Sequence, residues 1–157
     1  MDNCLWLLTR LIENIMDLTY IITPFFAWLV AGCAKFAINT IRAKRFAFDL
    51  IGYGGLPSNH SSIVASAAAI IVFKDGYQEP ALVVAMALAF IVILDANSLR
   101  QQIGKHAIAI NKINDKNDKN TQLKLRERVG HTRIEILAGI FTGVISAWIV
   151  NVFFTMI

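Results

Sequence analysis

One histidine and one glutamate are spaced so that they could act together. His131 and Glu135 are four residues apart, so on a helix they lie on the same face, one turn from each other. A carboxylate at that distance can fix the tautomer of an imidazole, which makes the ring a better nucleophile or base. Gly130 precedes the pair and permits a tight loop into the helix. The spacing therefore predicts an activated histidine.

Charged residues also stand at the edges of long uncharged segments. Lys35 follows 17 residues without charge, and Asp95 directly follows an uncharged run of 15 residues. An ionisable group at membrane depth is costly and by default indicates a functional site, although a lysine can also extend to the interface. The same ends of the segments carry further polar residues: Arg42, Ser58, His60, Arg100, His131 and Glu135.

This set of residues suits an anion, because it is rich in cations and hydrogen-bond donors and poor in acids. Phosphate is the most natural ligand, since Arg can bind it with two parallel hydrogen bonds and Lys can bind it as a point charge. A single histidine is more often a structural hydrogen-bonding residue, and His106 is interpreted in that way. Metal-ligand spacing is missing from the sequence, so we expect no metal and no cofactor.

The composition places these residues in a membrane protein. Of the 157 residues, 56% are hydrophobic and 17% are charged, and the mean hydropathy is +0.56. Soluble domains have about 45–50% apolar and about 25% charged residues. The length suits one domain, so residues 1–157 are predicted to form a single membrane domain. The net charge of +4 fits basic cytoplasmic loops, and no nucleic-acid partner is expected.

Four apolar segments predict the membrane helices. A spanning helix needs roughly 20 mostly apolar residues. Uncharged runs cover residues 18–34, 80–94 and 136–157, and a fourth apolar stretch covers the 13 residues 61–73. We interpret the fourth as a short helix that pairs with the helix after it through a tight turn, with a re-entrant or interfacial segment as the alternative. The predicted fold is all-α, a polytopic membrane helix bundle of about four spans.

Three polar or mixed segments are predicted to lie outside the spans. Residues 1–17 alternate apolar and charged positions at helical spacing, which is typical of an amphipathic helix on the membrane surface. Residues 42–60 contain three glycines and a proline and are predicted to form a loop. Residues 111–124 are polar and of low complexity, which predicts a mobile polar loop.

The distribution of Lys and Arg predicts the orientation. With four spans, segments 42–60 and 97–133 lie on one side of the membrane and hold 12 of the 15 basic residues. The positive-inside rule makes that side cytoplasmic. The sequence therefore predicts an integral protein of the cytoplasmic membrane whose polar residues face the cytoplasm.

Three short motifs appear in order along the chain. Lys35 and Arg42 form the first, the run from Gly55 to His60 the second, and the run from Gly130 to Glu135 the third. In these motifs the chain resembles the type 2 phosphatidic acid phosphatase superfamily, which includes the vanadium haloperoxidases. It is most similar to the divergent branch of small membrane proteins, and the resemblance covers most of the chain.

The resemblance implies a role for each motif. The third-motif histidine of the family becomes a phosphohistidine, which implies His131 as the nucleophile and Glu135 as the acid that orients it. The second-motif histidine protonates the leaving alcohol, which implies His60. The family uses no metal. The implied phosphate-binding residues, with Asp95 as a supporting residue, are Lys35, Arg42, Ser58, Asn59, Arg100, Arg126 and Arg128.

Several positions depart from the pattern of the family. Asn59 stands where the family usually has Gly, whose backbone N–H helps to hold phosphate, and Glu135 replaces Asp. The family has an Arg six residues before the third-motif histidine, a position that Leu125 occupies in this chain. The alternatives for the second phosphate-binding arginine are Arg100, Arg126 and Arg128.

Functions of different classes follow from these patterns. The first is a metal-independent membrane phosphatase that hydrolyses a phosphomonoester or pyrophosphate of a lipid at the cytoplasmic interface through a phosphohistidine. Its expected partners are the lipid phosphate substrate and membrane lipids, and the short spans leave a homo-oligomer open. The second is a non-catalytic membrane protein that binds anionic headgroups or a partner protein. The third is a small ion or proton transporter that uses Lys35, Asp95 and Glu135.

Overall fold

The computed structural model describes residues 18–46, 55–117, 124–127 and 129–156. These residues form helices and no strands, which confirms the all-α prediction for this part of the chain. The predicted surface helix over residues 1–17 lies outside the described residues. The elements are α1 Thr19–Ala43, α2 Asn59–Asp75, α3 Pro80–Leu94, a π-helical turn Asp95–Leu99, α4 Arg100–Asn117 and α5 Arg133–Met156.

Local sequence signals fix where the two central helices begin and end. Helix α2 starts after Ser58, whose hydroxyl accepts a hydrogen bond from the backbone N–H of Ser61 at 3.3 Å. A serine at this position satisfies one of the free N–H groups of the first turn. Helix α3 starts with Pro80, whose lack of an N–H is harmless at the first helical position. Because α2 ends at Asp75 and α3 begins at Pro80, the tight turn predicted between the two helices is present, over residues 76–79.

Among the described residues, three helices are long and apolar enough to cross a membrane: Thr19–Ala43, Pro80–Asp115 and Arg133–Met156. Helix α2 has 17 residues, which corresponds to about 26 Å, slightly less than the hydrocarbon core of about 30 Å. Helix α2 nevertheless packs against α1, α3 and α5, so it is the innermost element of the bundle. Crossing by α2, and with it a count of four spans, stays a prediction.

Helix α2 and helix α5 approach closely because small residues face each other. Gly139 and Gly143 are buried on α5, and a Cβ at either position would collide with a backbone carbonyl of α2, that of Ser58 or Ser62. Ser61, Ser62 and Ser66 on α2 are also fully buried. Small residues of this kind let helix backbones approach each other inside membranes, where apolar burial provides little driving force. This contact fixes the start of α2 against the start of α5.

We expect Gly143→Ala to destabilise the protein by roughly 1–3 kcal/mol, because the added methyl group must push α5 away from Ser62. Gly32→Ala is the matched control, since its Cβ would lie at an ordinary 3.8 Å from the nearest atom, Nδ2 of Asn59. That change should be neutral or stabilising by up to about 1 kcal/mol, because Ala favours a helix over Gly. Unfolding in mixed micelles titrated with sodium dodecyl sulfate measures both. Equal stability of the two variants would contradict close packing at Gly143.

The alternation of helix directions brings distant motifs to one end of the bundle. At one end the Tyr20 hydroxyl donates a hydrogen bond to the Asp75 carboxylate, so the start of α1 meets the end of α2. At the opposite end the backbone N–H of Ser58 donates to the carbonyl of Glu135 at 2.9 Å. The second half of α1, the start of α2, the π-helical turn and the start of α5 therefore meet at this second end.

The prediction of a mobile loop over residues 111–124 is wrong for its first half, because α4 continues through Asn117. Asn111 is 4% exposed and binds a returning segment of chain. Its amide Nδ2 donates to the Leu125 carbonyl and to the Glu127 carboxylate, both at 2.9 Å, and its Oδ1 accepts from the Leu125 N–H. These bonds hold residues 124–127 alongside α4. Residues 118–123 lie outside the described part of the chain.

Candidate functional site

His131 and Glu135 form the centre of the site. Nδ1 of His131 lies 3.1 Å from Oε2 of Glu135, and the two side chains are 8% and 12% exposed. A carboxylate accepts hydrogen bonds only, so the geometry places the ring proton on Nδ1 and the free lone pair on Nε2. This is the arrangement that makes an imidazole nucleophilic at its second nitrogen. The pairing predicted from the four-residue spacing is present.

Glu135 is itself held by the start of α5. Its Oε2 also accepts from the Thr132 N–H at 3.0 Å, and its own N–H donates to the Thr132 hydroxyl at 3.3 Å. These reciprocal bonds form a capping box, in which a Thr and a Glu three residues later satisfy each other's free N–H groups. The sequence interpretation did not identify Thr132 as a residue of the site. The signal was present in the Thr-x-x-Glu spacing before an apolar run.

His60 lies beside His131 from a different helix. The two ring centroids are 6.1 Å apart, and the ring planes are inclined by 56°. Ser58 caps α2 at the same end, so the first turn of the helix fixes the backbone of His60. His60 is exposed, whereas His131 is buried. One imidazole is therefore fixed in the interior and its neighbour can exchange protons with solvent.

Two cations complete the cluster of charges. Lys35 is half-buried on α1, and Arg100 is about one third exposed at the start of α4. Both are close enough to interact electrostatically with His60 and His131, and Lys35 also interacts with Glu135. Nε of Arg100 donates to Oδ2 of Asp95 at 2.8 Å. Lys35 and Arg100 thus place positive charge beside both imidazoles, where it can attract an anionic ligand, and the carboxylates of Asp95 and Glu135 offset part of that charge.

Ser58 and Asn59 lie at the site but differ in what they offer a ligand. Ser58 has no exposed surface, and its hydroxyl accepts bonds from the N–H and the hydroxyl of Ser61. Its geometry fits a capping role better than the predicted phosphate contact. Oδ1 of Asn59 is buried and has no hydrogen-bond partner among the described residues. This oxygen can only accept a hydrogen bond, so it would pair with a donor and does not by itself support the phosphate contact that the resemblance implies.

The structure describes two of the remaining predicted arginines, Arg42 and Arg126. Arg42 is exposed in the last turn of α1, two turns beyond Lys35. Arg126 is exposed on the segment 124–127. The carbonyl of its neighbour Glu127 lies against Gly104, one turn after Arg100 on α4. Arg128 lies outside the described residues. Of the three alternatives for the second phosphate-binding arginine, Arg100 is the one whose described contacts place it beside both histidines.

Burial sets the protonation of His131. Loss of water around the ring lowers the pKa of His131, and the charges of Lys35 and Arg100 lower it further. The hydrogen bond and charge of Glu135 raise this pKa, but the net shift of the pKa is downward. The imidazole is therefore predominantly neutral at neutral pH, which is the protonation state that a nucleophile needs.

Comparisons with known proteins agree with the motifs in this site. The Divergent PAP2 family matches residues 16–146, a range that contains Lys35, His60, Arg100, His131 and Glu135. The uncharacterized membrane protein YuiD of Bacillus subtilis (strain 168) is 29% identical over 143 residues, which covers 82% of this chain and 90% of that protein. No solved structure matches the chain. With three helices of membrane-spanning length in its described part and a family match over most of its length, the chain is a membrane protein and belongs to the Divergent PAP2 family.

Proposed function

We propose that the protein is a membrane phosphatase that hydrolyses a phosphomonoester or pyrophosphate of a lipid through a phosphohistidine at His131. The observation that carries this proposal is the pairing of the buried His131 with Glu135 at 3.1 Å, beside the exposed ring of His60. An oriented nucleophile next to a separate acid is the minimum that two-step phosphoryl transfer requires.

The reaction would proceed in two displacements. Nε2 of His131 attacks phosphorus, the bond from phosphorus to the leaving oxygen breaks, and His60 donates a proton to that oxygen. Water then attacks the phosphohistidine, His60 accepts a proton from the water, and the phosphorus–nitrogen bond breaks. Inorganic phosphate leaves and both histidines return to their first states. Lys35 and Arg100 would stabilise the charge on the phosphoryl oxygens in both steps.

A lipid substrate fits the surroundings of the site. An apolar crevice of about 530 Å³ lies between α1, α2 and α3, and its lining includes Ile63, Ala67 and Leu88. Ile63 and Ala67 follow Asn59 at four-residue spacing, so they continue the same face of α2 away from the polar end. The lining also includes Pro24, near the end of the bundle opposite the histidines, so only the Ile63 side of the crevice could receive an apolar chain from a phosphate at the site.

We further propose that the site faces the cytoplasm, because the polar end of the bundle carries most of the basic residues. Lys112→Cys tests this orientation, since Lys112 is exposed on α4. The background would replace Cys4 and Cys33 by Ser. A membrane-impermeant maleimide should label the cysteine in inverted vesicles and leave intact cells unlabelled. Labelling of intact cells would place the site on the outer face.

Phosphate release by the purified protein is the direct test of the function. In detergent, the protein should release inorganic phosphate from phosphatidic acid or from a polyprenyl pyrophosphate in the presence of a chelator. Vanadate should inhibit this release, because it resembles five-coordinate phosphorus and would bind the same cations. Turnover that is lost in chelator and restored by magnesium would point to a different mechanism.

The alternative function is binding of anionic headgroups without turnover. Two observations favour it: Nε of Arg100 is already bonded to Asp95, and Leu125 stands where the family has its second arginine. Fewer cations would then be free to stabilise a transition state. Tight binding to vesicles that contain phosphatidic acid, with no phosphate released over hours, would support this alternative.

Activity should fall as the solution becomes acidic. The neutral form of His131 is the nucleophile, so protonation abolishes it, and burial lowers the pKa at which that happens. We expect the acid limb of kcat/KM to have its midpoint below about 6.5, the ordinary value for histidine. Glu135→Gln should move this limb to still lower pH, because the carboxylate raises the pKa of His131. A limb that moves upward would contradict the assignment of this limb to His131.

A further inference from the structure

The backbone of His131 is held on both sides by the long helix that runs from α3 into α4. Its N–H donates to the carbonyl of Ala96 at 3.0 Å. Its carbonyl accepts from Nε2 of Gln101 at 3.2 Å. Both partners belong to a helix that carries neither of the predicted catalytic residues His60 and His131. These bonds fix the residue, and the bond to Glu135 then fixes its ring.

The π-helical turn Asp95–Leu99 accounts for the first of these bonds. The Arg100 N–H donates to the carbonyl of Asp95, five residues earlier, rather than to the carbonyl of Ala96, four residues earlier. The Ala96 carbonyl accepts the N–H of His131 instead. π-helical turns of this kind occur mostly as single wide turns and are frequent at functional sites.

Gly130 allows the chain to come this close to the helix. Its φ is +98°, a conformation that residues with a Cβ rarely adopt. A Cβ at this position would lie 3.1 Å from the backbone nitrogen of Gln101 and 3.2 Å from its Cγ. The glycine noted in the sequence as a loop residue therefore brings His131 within reach of Ala96 and Gln101.

We infer that the π-helical turn and the side chain of Gln101 form a clamp that positions His131, and that Gln101 is a positioning residue of the site. The clamp would hold the ring at the distance and angle that attack on phosphorus needs. Misplacement of a reacting group by about 1 Å can cost on the order of 10²-fold in rate. The expectation for turnover rests on the proposed function, whereas the expectation for the position of His131 does not.

Gln101→Leu tests the clamp, because it keeps the size of the side chain and removes the donor to the His131 carbonyl. Gln102→Leu is the matched control, since Gln102 is exposed on the same helix as Gln101 is, and the bond to the His131 carbonyl comes from Gln101. We expect Gln101→Leu to lower kcat by about 10- to 100-fold with KM changed less than threefold, and Gln102→Leu to leave both near the original values. Gln101→Lys supplies a donor of similar reach and should restore part of kcat.

The second readout is nuclear magnetic resonance of protein labelled in its histidine side chains and backbone. The chain has three histidines, so His60, His131 and His106 give a small set of signals. Gln101→Leu should shift the ring signals and titration midpoint of His131 and speed exchange of its amide hydrogen, with His106 unchanged. Signals of His131 that match those of Gln102→Leu would overturn the clamp. If the unaltered protein releases no phosphate but the signals shift as expected, the phosphatase proposal fails and the clamp stands.

Discussion

His131→Ala should abolish phosphate release, with a loss of at least about 10⁴-fold. The reason is that no phosphoenzyme can form without the ring nitrogen that attacks phosphorus. Nδ1 of this ring is bonded to Glu135, so the geometry leaves Nε2 for attack. Rapid quenching with labelled substrate should show an acid-labile phosphoprotein in the unaltered enzyme and none in the variant.

His131 is buried, so its replacement needs controls for folding. His106→Ala removes an exposed histidine on α4 and should retain full turnover. Glu135→Gln keeps an acceptor for the Thr132 N–H, so the capping box should be preserved. It removes the charge, so the loss of turnover should be smaller than that of His131→Ala. Near-normal turnover by a folded His131→Ala protein would exclude His131 as the nucleophile and favour the headgroup-binding function.

His60→Ala should lose on the order of 10²–10⁴-fold in turnover of a lipid phosphate, because an alcohol leaves poorly without a proton. The ring of His60 is exposed, and its centroid lies 6.1 Å from that of His131, so it is close to the proposed nucleophile. An activated aryl phosphate has a leaving group that barely needs a proton. With that substrate the loss in the first step should shrink to about tenfold or less.

The dependence on leaving group separates the roles of the two histidines. His131→Ala should be inactive with either substrate, whereas His60→Ala should discriminate between them. With the aryl substrate, His60→Ala should also accumulate phosphoenzyme, because His60 would assist the attack of water in the second step. An equal loss with both substrates would indicate that His60 supports the site structurally and does not transfer the proton.

The meeting of the polar residues at one end of the bundle could be predicted from the sequence for a physical reason. Helices joined by short connections run in alternating directions. Polar residues that follow one apolar segment and precede the next one therefore lie at the same side of the bundle. Lys35, His60, Arg100 and His131 follow that rule, and the structure brings them together. The spacing of His131 and Glu135 also sufficed, because one helical turn is a local distance.

Features that depend on distant partners could not be predicted in the same way. The polar composition after Ile110 indicated a loop, but Asn111 is buried by bonds to Leu125 and Glu127, which stabilise that part of the helix from outside it. The capping role of Ser58 was not identified, although its place before α2 is a local signal, and its phosphate contact stays a prediction. The π-helical turn has no sequence signature, because its Ala96 carbonyl is satisfied by a residue 35 positions later.

The helix that begins at Pro80 passes through the π-helical turn and already covers 36 residues when it reaches Asp115. At 1.5 Å per residue this is about 54 Å, so up to about 24 Å extends beyond a hydrocarbon core of about 30 Å. A 17.4 kDa membrane protein gives little signal above the micelle in electron cryo-microscopy. A compact fiducial protein inserted between residues 117 and 124 would lie outside the micelle. It would be attached to a helix that Asn111 joins by hydrogen bonds to the segment 124–127. The same extension would keep the fiducial away from the histidines, so images and turnover could be obtained from one fusion protein.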